Sequence, residues 1–311
     1  MLKNKKYFTK GQYLFWVLIL LLISFAFFHL ADKMFKEEGI VERIIDAERP
    51  PLIDTTSIIE TDTTSKKKDD LIPFTWKWKD YKGISRSITF KLSKRDLIKS
   101  TNNRQNLNPE YSMDPWSAFP GVYSSMYIND KKGLKSIVEA YKKEIKTAGI
   151  SNYQESLDFV VSSIQALGYT FVCDGKVANC GRNGSPAEDC RPPQNGFFTD
   201  DLGCCDDVKP LGVYAPFEFA FYRTGDCDTK SLFAYTILKE MGYNDVAVLI
   251  GNANGGGHSM LGVKVANPPF NKLFIRHNNG SKYYAWEVTQ GDNKLGQNCW
   301  NAWNDWRISI N

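Results

Sequence analysis

The chain has 311 residues, a formal net charge of +4, 42% hydrophobic and 24% charged residues, a globular composition that excludes wholesale disorder, collagen and coiled coil. Its lysines and arginines form no basic stripe beyond the first residues, so nucleic acid is not an expected partner. Only three histidines occur, one of them (His29) inside an apolar run, which argues against a zinc hydrolase.

Residues 13–31, YLFWVLILLLISFAFFHLA, are almost wholly apolar. As a helix rising about 1.5 Å per residue, this run nearly matches a hydrocarbon core roughly 30 Å thick. Lys3, Lys5, Lys6 and Lys10 precede it, so the positive-inside rule makes residues 1–12 a cytoplasmic tail and sends the rest across the membrane. A cleaved signal peptide is the rival reading; the length of the run and the lack of a clean A-x-A site stand against it. Pro50-Pro51 and the Thr-, Asp- and Lys-rich stretch after them mark residues 32–72 as a linker. The expectation is a single-pass membrane protein whose main domain, residues 73–311, is periplasmic or extracellular.

In that domain Phe74, Trp76 and Trp78 alternate before Asp80–Gly83, and Ile84, Ile88 and Phe90 after it, which predicts a β-hairpin whose second apolar face Arg86 interrupts. Residues 93–130 read as a long loop. Leu134, Ile137, Val138, Tyr141 and Ile145 form a helical stripe over 132–147, and Leu157, Val160, Val161, Ile164 and Leu167 form another over 153–167, ended by Gly168. A third helix over 227–241 buries Phe233, Ala234, Ile237, Leu238 and Met241 and stops at Gly242. Strand-like runs follow at 245–250, 258–265, 273–276 and 283–289. Helices followed by an antiparallel sheet give an α+β order. Trp300, Trp303 and Trp306 are spaced to pack a helix onto the domain; an exposed platform for sugar or peptide is the alternative.

All seven cysteines lie beyond the apolar run, where an exported compartment permits disulfides. An odd number leaves one thiol over. Cys227 is the outlier, because it opens a predicted helix. Cys173, Cys180, Cys190, Cys204 and Cys205 sit in a Cys-rich insert at 173–210 and Cys299 in the tail, so these six are expected to form three disulfides, one of them tying the tail to the insert. Cys204 and Cys205 are neighbours, with Cα atoms about 3.8 Å apart, too close to bond each other comfortably. No metal or other cofactor is expected: the spacings contain no C-x-x-C and no histidine is near. The Asp200-Asp201 and Asp206-Asp207 pairs read as a solvated acidic loop in preference to a calcium site.

Gly225-Asp226-Cys227-Asp228 carries the chemistry. A glycine turn and an Asp cap lead into a helix whose first residue is cysteine, where free N–H groups and the dipole favour a thiolate. A nucleophile needs a base, and outside the apolar run only His258 and His277 offer an imidazole. His258 opens a strand after Gly255–Gly257, whereas His277 lies in an R-H-N-N-G-S turn, so His258 is the better candidate. Glu287, inside the otherwise apolar YYAWEVT, faces away from Trp286 and Val288 and needs a partner if buried; it is the candidate to orient the imidazole.

The run YAPFEFAFYRTGDCDTKSLFAYTILKEMGY, then GGGHSMLGVKV and KYYAWEVT, resembles the transglutaminase-like cysteine hydrolases of bacteria and archaea over about residues 155–290. The resemblance implies a papain-like core with helices packed on an antiparallel sheet, and a Cys227, His258 and Glu287 triad for thiol acyl transfer on peptide or isopeptide bonds of a peptide, protein or cell-wall substrate. Glu218, Asp226 and Asp228 would support the motif, and Gln165 would complete the oxyanion site beside the Cys227 N–H. Many relatives place Asp where this chain has Glu287, and the Cys-rich insert is not expected of the core family. An inactive papain-like binding or scaffold module at the cell envelope is the alternative function.

Overall fold

The computed structural model describes residues 70–114, 116–170, 172–173, 206–253, 256–298 and 303–311. The apolar run at 13–31, most of the linker and most of the Cys-rich insert lie outside them. Among the described residues no helix is long and apolar enough to cross a membrane. Of the six cysteines assigned to disulfides only Cys173 is described, in its backbone alone, so the expected bridges also lie outside the described residues.

The described residues open with the hairpin β1 (Leu71–Lys79) and β2 (Ser85–Ser93). Its register sets Phe74 opposite Phe90, Trp76 opposite Ile88 and Trp78 opposite Arg86. Strand alternation then buries the aromatic side and leaves the other side in solvent. Strand β1 begins two residues inside the stretch read as linker. Arg86, which breaks the apolar pattern, donates from Nε to Asp80 Oδ2 at 2.8 Å and lies 5.7 Å from the centroid of the Phe159 ring. Burial works to raise the Asp80 pKa, but Arg86 and the N–H groups of Ile84 and Lys82 outweigh it and hold the carboxyl below its usual value.

Residues 93–130, expected as a loop, instead carry two helices, α1 (Lys94–Gln105) and α2 (Phe119–Asp130). Helix α1 hides from a hydrophobic pattern because its buried residues are Leu97, Ser100 and Arg104. Its start is capped by the Ser93 hydroxyl, which accepts from the Asp96 N–H at 3.2 Å. Helices α3 (Lys135–Thr147) and α4 (Tyr153–Gln165) follow as expected, with Ile137, Val138 and Tyr141 on the buried stripe of α3.

Short parallel pairings then prepare the site. Strand β3 (Gly168–Tyr169) leads to β4 (Val172–Cys173), which pairs with β5 (Asp206–Asp207), so the two ends of the Cys-rich insert lie side by side. Helix α5 (Pro216–Tyr222) ends at Arg223 in the left-handed region (φ 62°). Strand β6 (Thr224–Gly225) pairs with β3 and delivers the chain to α6 (Cys227–Met241). Helix α6 is buried on every side from Thr229 to Leu238, more than the single stripe expected, because it packs on the sheet and on α3, α4 and α5.

The sheet is wholly antiparallel, in the order β11-β7-β8-β10-β9. Its strands are β7 (Val246–Ala253), β8 (Gly256–Val263), β9 (Phe274–Arg276), β10 (Lys282–Trp286) and β11 (Trp303–Ile310). The fold is therefore mixed α+β. The C-terminal tryptophan segment is an edge strand and not the expected helix: Trp303 pairs with Ala253 on β7. Trp300 lies outside the described residues.

Beneath α5 sits a buried polar network that the sequence does not announce. Glu218, 1% exposed, accepts from Arg104 Nε at 2.6 Å, Arg104 Nη2 at 2.9 Å, Thr101 Oγ1 at 2.8 Å and the Ala215 N–H at 2.9 Å. Arg104 Nη1 also donates to the Lys209 carbonyl. Nearby, Asp130 Oδ2 accepts from the Phe217 N–H and from Ser100 Oγ, each at 2.8 Å. Burial pushes the Asp130 pKa up to about 6 against the pull of those two donors. The folded state thus holds a proton that the unfolded chain, with a pKa near 3.8, has already released. Stability therefore falls as pH rises through that window. Replacing Asp130 with Asn keeps the acceptor oxygen and removes the titration. The stability difference between wild type and Asp130→Asn should grow in favour of the variant between about pH 4 and about pH 6 and then level off, measured by urea unfolding at each pH.

Candidate active site

Two local devices bring Cys227 to the start of α6. Gly225 passes so close to the helix that a Cβ on it would lie 2.5 Å from Thr229 Cγ2, so glycine is required by space. Asp226 is the N-cap, its Oδ1 accepting from the Thr229 N–H at 3.2 Å. Cys227 is then the first helical residue, 8% exposed, and it is a free thiol.

Helix α6 packs on β8, and the Ser259 backbone of that strand lies near enough to Cys227 to lower its pKa. The thiol therefore lies beside the backbone of the residue that follows His258. Its protonation is not the one expected from a helix start. Burial pushes the Cys227 pKa well up, and the carboxyl groups of Asp228, Asp226 and Glu287 push in the same direction, against the lowering by the Ser259 N–H. The helix dipole is outweighed, and the resting group is a neutral thiol.

On the same strand as Ser259, His258 Nε2–H donates to Glu287 Oε2 at 2.6 Å. This bond fixes the ring orientation and makes Nδ1 the nitrogen turned away from Glu287. The pairing follows from strand alternation. Trp286 and Val288 point into the main core with the helices, while His258 and Glu287 share the other face with Met260 and Ala285. Glu287 is 2% exposed and is not on a solvated face. Burial works to raise its pKa, yet the His258 charge and hydrogen bond and the Thr289 hydroxyl and N–H together hold it below its usual value. Thr289 reaches Glu287 Oε1 from its N–H at 2.8 Å and also from its hydroxyl.

Gln165 does not serve as an oxyanion donor. Both hydrogens of its amide are engaged, one with the Glu287 carbonyl at 2.7 Å and one with the Asn293 carbonyl at 2.9 Å, and its Oε1 accepts from Tyr81 Oη at 2.7 Å. It ties α4 to the backbone of Glu287 instead. Glu218 lies in the Arg104 network under α5, consistent with an organising role. Asp228 is half-buried and accepts from Tyr123 Oη at 2.7 Å. Burial raises its pKa, while Tyr123 and the attraction of His258 lower it. Asp226 is raised well above its usual value by burial and by Asp228, against the Thr229 and Val172 N–H groups.

Two further side chains belong to this neighbourhood. Tyr123, on α2, reaches it through Asp228. Tyr169, on β3, has its phenol pushed well up by burial and then by Cys227, Asp226, Glu287 and Asp228. Its in-register partner is Gly225. Neither tyrosine had a sequence signal, because each enters through a long-range contact. His277 stays in the turn between β9 and β10, where its carbonyl accepts from the Gly280 N–H at 2.8 Å and its ring packs on Tyr283. No protein-family model, curated protein or solved structure matches this chain.

Proposed function

We propose that the chain is a membrane-anchored thiol acyl-transfer enzyme, a cysteine peptidase or amidase of transglutaminase-like, papain-like type whose domain faces the periplasm or the exterior. The observation that carries this reading is the 2.6 Å bond between the half-buried His258 and the buried Glu287, in a chain whose Cys227 opens a buried helix packed on the same strand as His258. A carboxylate and an imidazole in that arrangement supply a general base of fixed orientation.

The neutral Cys227 thiol gives its proton to His258 Nδ1 as the sulfur attacks an amide carbonyl. The imidazolium so formed is stabilised by Glu287 and attracted by Asp228, the same carboxyl groups that disfavour an isolated thiolate. The carbonyl oxygen takes up negative charge near the Cys227 N–H, one of the first-turn donors that has no partner within its helix. As the C–N bond breaks, His258 returns the proton to the leaving amine and a thioester remains on Cys227. Water or a second amine, deprotonated by His258, then attacks the thioester and frees the thiol. The substrate is a peptide, a protein or a cell-wall peptide.

One observation favours the scaffold reading instead. The Cys227 residue is 8% exposed and the His258 side chain 10%, so access to the pair is narrow. The two readings separate when the full chain is incubated with an activated acyl ester and acid-quenched. The enzyme reading expects an acyl mass on Cys227 that turns over on addition of hydroxylamine or a primary amine. A Cys227 that stays unmodified while the chain is folded would support the scaffold.

A further inference from the structure

Trp306 stands against the imidazole of His258. The ring centroids are 6.1 Å apart and the ring planes cross at 81°. Three independent features of the fold put the indole there. The first is a bulge in β11: Asn304 pairs with Asn252 and Arg307 with Ile250, so Asp305 and Trp306 together oppose the single residue Gly251. Asp305 takes the left-handed region (φ 56°), a backbone cost that Asp bears better than most residues. Strained residues of this kind persist where the surrounding structure holds them, and they gather at functional sites.

The second feature is Gly251 itself. It is the in-register partner of His258 across β7 and β8. A Cβ on it would lie 2.7 Å from Trp306 Cγ and Cδ2 and 2.8 Å from Trp306 Cα. Only a residue without a side chain leaves room for the indole over this strand. The third is a pair of anchors. Trp306 Nε1 donates to the Asn252 carbonyl at 2.9 Å, and Asn252 Nδ2 donates to Asp305 Oδ2 at 3.3 Å. Arg307 Nη1 also pairs with Asp114 Oδ2 at 2.5 Å, which ties the strand to the segment leading into α2.

We propose that Trp306 is the positioning residue for His258: the bulge at Asp305–Trp306 and the bare backbone of Gly251 press the indole against the imidazole, so that Nε2 is kept on Glu287 and Nδ1 is kept turned to Cys227. The indole also keeps water from the His258–Glu287 bond, which strengthens it. The inference rests on reading His258 as the proton acceptor of Cys227. It gives the C-terminal strand a part in the site, in place of a helix or an exposed platform.

The test is the rate at which iodoacetamide alkylates Cys227 in the full chain, followed on the Cys227 peptide by mass spectrometry across the pH range. Without a well-placed acceptor, a thiol held protonated by its surroundings reacts only at higher pH. Trp306→Ala should therefore move the midpoint of the alkylation profile upward and lower the rate at neutral pH about tenfold. Trp306→Phe, which keeps an aromatic ring, should restore most of the rate. Gly251→Ala should reproduce the Trp306→Ala profile although His258 and Trp306 are both still present, because the new methyl displaces the indole. If Trp306→Ala does not fold, Trp306→Leu takes its place with the same expected profile, since an aliphatic chain fills space without fixing the ring plane. Variants that lower the thermal midpoint yet keep the wild-type pH profile would overturn the proposal. His258→Ala separates the two levels: if it changes the profile and the Trp306 variants do not, only the positioning role falls. If His258→Ala itself leaves the profile unchanged, the proton-acceptor role falls and the positioning role with it.

Discussion

Cys227→Ala should abolish acyl transfer, and His258→Ala should lower it by roughly 10²–10⁴-fold, the span of a positioned general base. The two losses should not add in the double variant, because the sulfur and the imidazole act on one proton. Glu287→Gln should cost less than either, since the amide oxygen can still accept from Nε2–H while the negative charge that steadies the imidazolium is gone. His277→Ala should leave the rate near wild type, because His277 sits in the β9–β10 turn. These outcomes are read from single-turnover acylation with an activated ester. Equal losses at His258 and His277, or additive losses at Cys227 and His258, would contradict the assignment.

The second large effect concerns stability. Glu218→Ala should destabilise the domain by about 3–5 kcal/mol, because it strands the Arg104 guanidinium in a site where that side chain is 6% exposed. Thr101 Oγ1 and the Ala215 N–H would lose their acceptor as well. Arg104→Met should be comparably severe, leaving the Glu218 carboxylate unpaired. The double variant Arg104→Met/Glu218→Met should cost less than the sum of the two singles, since no buried charge then remains. Urea unfolding checks this: a loss of about 1 kcal/mol or less for each single change would be the behaviour of a surface ion pair and would contradict the account.

The elements that could be read from the sequence are those whose burial follows a simple period. The hairpin alternation at 74–90 and the apolar repeats of α3 and α4 follow strand or helix period, and α6 is marked by its apolar repeat and terminal glycine although it is buried on every side. The missed elements break that condition in different ways. Helix α1 buries Arg104 and Ser100 toward carboxyl groups more than twenty residues away, so its inner face looks polar. Helix α5 is seven residues long and buried from Pro216 to Phe221, which leaves no stripe to see. In β11 the register shifts at Asn304/Arg307 and again at Ile308/Ile310, which scrambles strand alternation and leaves a tryptophan spacing that mimics a helix.

The site was legible to the same extent. Cys227, His258 and Glu287 could be singled out because each is chemically anomalous where it stands: a cysteine after an Asp cap, a histidine after glycines, a carboxylate in an apolar strand. The direction of the thiol pKa was not legible. The helix start argues for a thiolate, but the burial of α6 on all sides and the carboxyl groups of Asp228, Asp226 and Glu287 are tertiary facts, and they decide the sign. The engagement of Gln165 is of the same kind. Its donors are spent on the Glu287 and Asn293 carbonyls, more than a hundred residues away.

The central claim is that His258 takes the proton of a neutral Cys227 thiol. The measurement that meets it most directly is the pH dependence of Cys227 alkylation by iodoacetamide in the folded chain, compared between wild type and His258→Ala. The account predicts that wild-type Cys227 reacts near neutral pH, while in His258→Ala the rate at that pH drops at least about tenfold and the midpoint moves upward, because burial and the flanking carboxyl groups then hold the thiol protonated. Superimposable profiles for the two proteins would contradict it.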